Sequence, residues 1–158
     1  MSIKISVARA DDAMAIARMS KILIEQNLPW SWTEGRVKSA IYHPETAVIV
    51  ARDRRRLAGF AIMQFADAHA HLNLLAVAPA YRNRGLGRRL VEWLESCART
   101  AGIFDVRLEL RATNDAASGF YEALGYSEAG LVRNYYAGRE DARRMQRDLS
   151  VRIDAGNA

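Results

Sequence analysis

The 158-residue chain predicts one mixed α/β domain in which helices interleave with strands. Three observations lead there. Stretches of period-two alternation take turns with stretches whose apolar residues recur every three or four positions. The length is that of a single domain, large enough to build a core without staples, and the lone Cys97 can form no intrachain bridge. Half of the residues are hydrophobic and 26% are charged, a globular composition that argues against disorder, collagen-like sequence and coiled coil.

Each element has its own signal. Residues 3–7 alternate weakly and read as a strand. A helix opens at Asp11 or Asp12, an acidic start, with Met14, Ile16, Ala17, Ile22 and Leu23 as its apolar positions. Pro29 and the Trp30-Ser31-Trp32 segment lead to Thr33 and a short helix on which Val37, Ala40 and Ile41 share a face. Strands at 46–51 and 57–65 flank an arginine-rich turn and form a hairpin. Another strand covers 69–77 and stops before Pro79, which has no N–H for a ladder. In residues 85–101, Leu86, Leu90, Trp93, Leu94, Cys97 and Ala101 mark one buried helix face, and Gly102 ends the helix. Residues 106–110 form a strand, Asn114 caps a short helix closed by Gly125, and two strands follow near 128–135 and 141–149. The last is the least regular, because Arg143, Arg144 and Arg147 break its alternation. Residues 1–150 make up the domain and 151–158 a loose tail.

No apolar run approaches the roughly 18 residues of a membrane span. The first ten residues include Lys4 and Arg9 and no continuous apolar stretch, which argues against a signal peptide and for a cytoplasmic location. The net charge is +5, and apart from Lys4, Lys21 and Lys38 all 23 basic residues are arginine, the residue suited to bidentate phosphate and carboxylate contacts. Arginines gather at 52–56, 82–89 and 139–147, and only the middle cluster surrounds a glycine motif.

That motif is Tyr81-Arg82-Asn83-Arg84-Gly85-Leu86-Gly87-Arg88-Arg89, set between a strand and a long helix. The first amides of a helix lack intrahelical acceptors, glycines let that backbone approach an anion, and arginines add charge for phosphate oxygens. A glycine turn with solvated arginines is the plainer alternative. The spacing is neither a G-x-G-x-x-G dinucleotide fingerprint nor a nucleotide loop ending in G-K-[ST].

With Arg82, Gly85 and Gly87 matching Q/R-x-x-G-x-G/A, the sequence resembles the GNAT superfamily of N-acetyltransferases. It is closest to the RimI-like ribosomal-protein alanine N-acetyltransferases. Blocks at 75–81, 108–114, 120–126 and 134–141 carry this resemblance in order, including Leu108-Glu109-Leu110-Arg111-Ala112-Thr113-Asn114 and Asn134-Tyr135-Tyr136. The match covers about residues 70 to 145. It implies a mostly antiparallel central sheet, splayed between its fourth and fifth strands and flanked by about four helices. It also implies acetyl-CoA as donor, no metal, and a primary amine as acceptor, most readily the N-terminus of a ribosomal protein.

By this resemblance the pantetheine arm lies along Leu75, Ala76 and Val77, and the phosphates sit over Arg82, Asn83, Arg84, Gly85, Leu86, Gly87 and Arg88. Asn114 is a cofactor contact as well as a helix cap. Glu109 is the general base and Tyr121 the general acid that also touches the cofactor. Trp32, Tyr135 and Tyr136 are walls of the acceptor groove. The structural alternatives are a solvated or cross-strand ion-paired carboxylate for Glu109, a core ring with a bonded hydroxyl for Tyr121, and aromatic packing for Trp32, Tyr135 and Tyr136. His69 and His71 share a strand face but are too few for a zinc site; His71 is a minor candidate base. Relative to the family pattern, Ala78 replaces an aspartate, Arg82 replaces a glutamine, and the segment after Tyr136 is short.

A protein α-amine, with pKa about 7.7 to 8.0, costs roughly 1 kcal/mol to deprotonate at pH 7, whereas lysine costs more than about 4, so a carboxylate base suits the former. The expected protein is a monomer or weak homodimer without direct nucleic-acid or membrane binding. A polyamine or antibiotic acetyltransferase is the alternative within the class. A basic nucleic-acid-binding module and an acetyl-CoA-binding regulator are alternatives outside it.

Overall fold

The computed structural model describes residues 2–151; Met1 and most of the sequence-predicted tail, 152–158, lie outside the described residues. The elements follow the predicted order. They are β1 (Ile3–Val7), α1 (Ala13–Leu23), α2 (Glu34–Tyr42), β2 (Thr46–Asp53), β3 (Arg56–Phe65), β4 (Ala70–Val77), α3 (Leu86–Thr100), β5 (Asp105–Arg111), α4 (Asp115–Ala123), β6 (Ser127–Tyr136) and β7 (Glu140–Asp148). Short 3-10 turns at Ala10–Asp12 and Pro79–Tyr81 precede α1 and the glycine loop.

The chain forms two compact units, residues 2–65 with Leu72–Leu94, and Ala66–His71 with 95–151. In the first, the strands run in the order β1-β2-β3-β4. β1 pairs antiparallel with β2 and β2 with β3, across the two-residue turn Arg54-Arg55 that joins Asp53 to Arg56. Arg54 takes a positive φ of 57°, the conformation that matches a tight turn to the twist of its strands. Ala8, Ala13, Ile16, Ala17, Val37, Val48, Val50, Phe60, Ile62, Leu74 and Ala76 pack into one core under α1 and α2. Gly59 permits a close approach here: a Cβ would stand 2.7 Å from the Ala76 carbonyl oxygen and 3.3 Å from Leu90 Cδ1.

The structure moves two apolar stripes. On α1 the buried positions are Ala13, Ile16, Ala17 and Ser20, while Met14 and Ile22 face solvent. Asp12 does not cap α1 by its side chain; its Oδ2 accepts from the Arg9 N–H at 2.7 Å and its Oδ1 pairs with Arg52. On α3 the buried residues are Leu86, Leu90, Val91, Leu94, Glu95 and Ala98; Trp93 and Ala101 are exposed and Cys97 is half-buried. A carboxylate therefore lies in the stripe and a tryptophan lies outside it.

The first unit also contains a buried acidic hub. Glu25, 7% exposed, accepts from Ser20 Oγ at 2.9 Å, Ser31 N at 2.7 Å, Ser31 Oγ at 2.6 Å and Trp32 N at 3.3 Å, which ties the end of α1 to the Trp-Ser-Trp segment. Burial alone raises this carboxyl's pKa, but the serine and main-chain donors win and leave it lowered.

In the second unit the order is β5-β7-β6, both pairs antiparallel. β5 alternates as predicted: Val106, Leu108 and Leu110 are buried, and Arg107, Glu109 and Arg111 occupy the other face. The irregular final strand is real, and its register sets Arg144 directly opposite Glu109. Glu95, 2% exposed, accepts from Tyr126 Oη at 2.9 Å and from Arg147 Nη1 at 2.8 Å.

Candidate active site

The glycine loop in the first unit has the geometry of an anion seat. β4 ends at Val77, the Pro79–Tyr81 turn reverses the chain, and Arg82 folds back so that its Nε donates to the Val77 carbonyl at 3.1 Å. Tyr81 is buried, its hydroxyl donating to Asp53 at 2.8 Å, so it anchors the loop and does not line it. Gly85 takes φ +76° with open space where a Cβ would stand, so this turn requires a residue free to enter the left-handed region. The helical ladder includes Arg89 N–H to Gly85 C=O at 3.1 Å; the amides of Leu86 and Gly87 belong to the first turn, where N–H groups have no intrahelical acceptor. Arg82, Asn83, Arg84 and Arg88 are exposed around it. On β4, Ala76 is buried while Leu75 and Val77 are half-exposed on the opposite face, the one that also carries His71 and Asn73.

In the second unit the structure gathers Glu109, His71, Tyr135 and Arg144. His71 Nε2 lies 2.6 Å from Glu109 Oε1, Tyr135 donates to the same oxygen at 2.9 Å, and Arg144 Nε reaches Oε2 at 3.4 Å. The Glu109 side chain is 7% exposed. Burial raises its pKa, but the His71 and Tyr135 hydrogen bonds and the Arg144 charge outweigh burial and hold the carboxyl below its ordinary range. It is ionised at neutral pH, so the proton between it and His71 belongs to the imidazole. Burial and the bond to Glu109 push the Tyr135 hydroxyl up to about 12.

Tyr121 is buried on α4 and packs edge-on against Phe120 and Tyr126, with ring centroids 5.0 and 5.5 Å away. Burial and the neighbouring Tyr136 raise its hydroxyl pKa, so it keeps its proton throughout the working range. Tyr136 packs edge-on to Tyr135 at 4.9 Å and has the Arg111 guanidinium 6.0 Å from its ring centre. Asn114 caps α4, Oδ1 accepting from Ala117 N at 3.1 Å. In the first unit, Trp32 packs against the core with Arg36 stacked 3.8 Å over its ring. Among the described residues, no helix is long and apolar enough to cross a membrane, and no group of three or more His, Cys, Asp or Glu could hold a metal ion.

Sequence reasoning underweighted His71, offered a cross-strand ion pair for Glu109 without naming Arg144 as its partner, and missed the Glu95 cluster. The available signals were a glutamate inside an apolar helix stripe and consecutive arginines inside a strand.

Buried carboxylates with depressed pKa, Glu25 and Glu109, set an acid limit on stability. A group whose folded pKa lies below its unfolded value stabilises above the unfolded pKa and loses that contribution as pH falls through the folded one. Glu25 and Glu109 are both lowered, so the stability they contribute is fully present above about pH 5 and is lost progressively as pH falls below about 4.3. Urea midpoints measured from pH 6 to 3 check this, and Glu25→Gln is expected to flatten the slope. An unchanged slope would remove Glu25 from the account.

Residues 44–128 match the family model described as the acetyltransferase (GNAT) domain. The chain is 44% identical over 99 residues to the ribosomal protein bS18-alanine N-acetyltransferase of Salmonella typhimurium, covering 61% of this chain and 67% of that one. It is 31% identical over 142 residues to the N-alpha-acetyltransferase RimI of Mycobacterium tuberculosis, 87% of each chain. The crystal structure of the ribosomal-protein alanine N-acetyltransferase from Escherichia coli superposes with a TM-score of 0.80 at 33% identity, covering 98% of both chains.

The chain belongs to the GNAT acetyltransferase family. It has the GNAT fold, and within the family it is RimI-like, an acetyl-CoA-dependent N-acetyltransferase.

Proposed function

We propose that this protein transfers the acetyl group of acetyl-CoA to the α-amine of a protein N-terminus, an alanine-initiated ribosomal protein being the acceptor. The observation that carries the choice of amine is the state of Glu109, buried yet held ionised by His71, Tyr135 and Arg144. A carboxylate kept below its ordinary pKa is a weak base. It can relieve an amine that already releases its proton near neutrality, but lysine, about 2.5 pKa units higher, is out of its reach. The ribosomal protein bS18-alanine N-acetyltransferase of Salmonella typhimurium supports this acceptor by its name, and the N-alpha-acetyltransferase RimI of Mycobacterium tuberculosis supports the α-amine.

The residues divide the work by chemistry. First-turn amides at Leu86 and Gly87, with Arg82, Arg84 and Arg88, bind the donor's phosphates, and the Leu75-Ala76-Val77 end of β4, with Leu75 and Val77 half-exposed, aligns its arm. Glu109 takes a proton from the acceptor ammonium. The nitrogen lone pair attacks the thioester carbonyl, the C–N bond forms and the C–S bond breaks. Tyr121 gives its proton to the leaving thiolate. The second proton of the attacking nitrogen, lost as the adduct collapses to the amide, restores the tyrosine hydroxyl, and Glu109 releases the first to solvent. The reading places the enzyme in the cytoplasm.

Two measurements test this. Incubation with acetyl-CoA and a panel of N-terminal peptides, lysine peptides and small amines, read by mass spectrometry, is expected to show transfer to alanine-initiated peptides first. Transfer confined to polyamines or antibiotics overturns the acceptor. Gly87→Val is expected to weaken acetyl-CoA binding about tenfold by blocking approach to the helix terminus, with little effect on thermal stability. Calorimetry with acetyl-CoA that showed wild-type affinity in this variant would remove the loop from the donor site.

A further inference from the structure

The two oxygens of Glu109 are not equivalent. Oε1 is engaged twice at short range, by His71 at 2.6 Å and Tyr135 at 2.9 Å, whereas Oε2 meets the Arg144 Nε at 3.4 Å, the long limit of a hydrogen bond. Antiparallel register, not side-chain reach, brings Arg144 there: it is the residue directly across from Glu109 on β7. Its side chain is 47% exposed, against 7% for the carboxylate it touches. A buried carboxylate needs cationic or donor neighbours: Oε1 has His71 and Tyr135 at short range, while the Arg144 guanidinium meets Oε2 only loosely.

The acceptor proposed above is itself a cation. An α-amine with pKa about 7.7 to 8.0 arrives largely as an ammonium at neutral pH. We propose that Arg144 is a placeholder for that ammonium. It occupies Oε2 while the acceptor is absent, swings to solvent when the acceptor binds, and thereby makes acceptor binding an exchange of one cation for another. Once Arg144 has left, the ammonium donates its proton to Oε2 and the reaction proceeds as above. The seat stays neutralised throughout, and an uncharged or poorly basic acceptor gains nothing from entering it. This inference rests on Glu109 being the proton acceptor.

Steady-state kinetics with an alanine-initiated peptide at saturating acetyl-CoA separates the possibilities. Removing the competing cation in Arg144→Gln is expected to lower the peptide KM about fivefold, the most a half-exposed ion pair supplies, with KM for acetyl-CoA unchanged. Arg144→Lys, which restores the charge, is expected to return the peptide KM toward the wild-type value. A peptide KM that is unchanged or higher in Arg144→Gln overturns the placeholder role. So does a fall in kcat at constant KM, which would make Arg144 a residue that orients Glu109. A wild-type enzyme that acetylates no N-terminal peptide fails at the earlier step, and both readings fall together.

Discussion

Glu109→Gln is expected to lower kcat by about two to four orders of magnitude while leaving acetyl-CoA affinity intact, the range that general-base catalysis supplies. The substitution preserves shape and removes the capacity to hold the acceptor's proton. It also meets a geometric conflict that sharpens the test. All three neighbours donate to the carboxylate, His71 and Tyr135 to Oε1 and Arg144 to Oε2. A glutamine can accept at only one end, so its carbonyl settles toward His71 and Tyr135 and its NH2 group faces the guanidinium. Arg144 is half-exposed and can turn away, so the fold survives. Steady-state turnover together with calorimetric acetyl-CoA binding decides the matter. Turnover within a factor of about three of wild type would remove Glu109 from the proton transfer and pass that role to His71 or to solvent.

How far such a site could be read from sequence depended on the range of the interactions. The two faces of β5 follow from period-two alternation alone, and Glu109 separates correctly from Leu108 and Leu110 because that pattern is local. The glycine loop is legible for the same reason: strand, turn and helix start fall within a few residues of one another. The neighbours of Glu109 are not legible. His71 lies 38 positions away and Arg144 lies 35, and only strand register brings them together. On α3 the error was one of phase. Trp93 and Cys97 look like core, but the face that turns inward is centred on Leu90, Val91, Leu94 and Glu95. A glutamate at such a position reads as surface until its partner, 52 residues downstream, is known. The arginines that made β7 look irregular are the partners in question: Arg147 pairs with Glu95 and Arg144 with Glu109. Charges inside that strand are paired across the fold, and period counting has no means of seeing the pairing.

Removing one member of the Glu95 cluster is expected to have the largest effect on stability. Glu95→Ala leaves the Arg147 guanidinium, 9% exposed, without its carboxylate, and leaves the Tyr126 hydroxyl without an acceptor in a site that is 3% exposed. Breaking a buried pair costs about 3 to 5 kcal/mol, because the remaining charge stays desolvated and uncompensated. For a domain of this size that is a fall in Tm of roughly 10 °C or more. The same physics makes the opposite prediction for removing both charges. Glu95→Leu with Arg147→Met replaces the pair by apolar groups of similar volume, and the double variant is expected to recover most of the loss. Urea denaturation of wild type, both single variants and the double closes the cycle. Single variants that lose less than about 1 kcal/mol, or a double variant as unstable as their sum, would show that water reaches this cluster and that it does not hold α3 against β7.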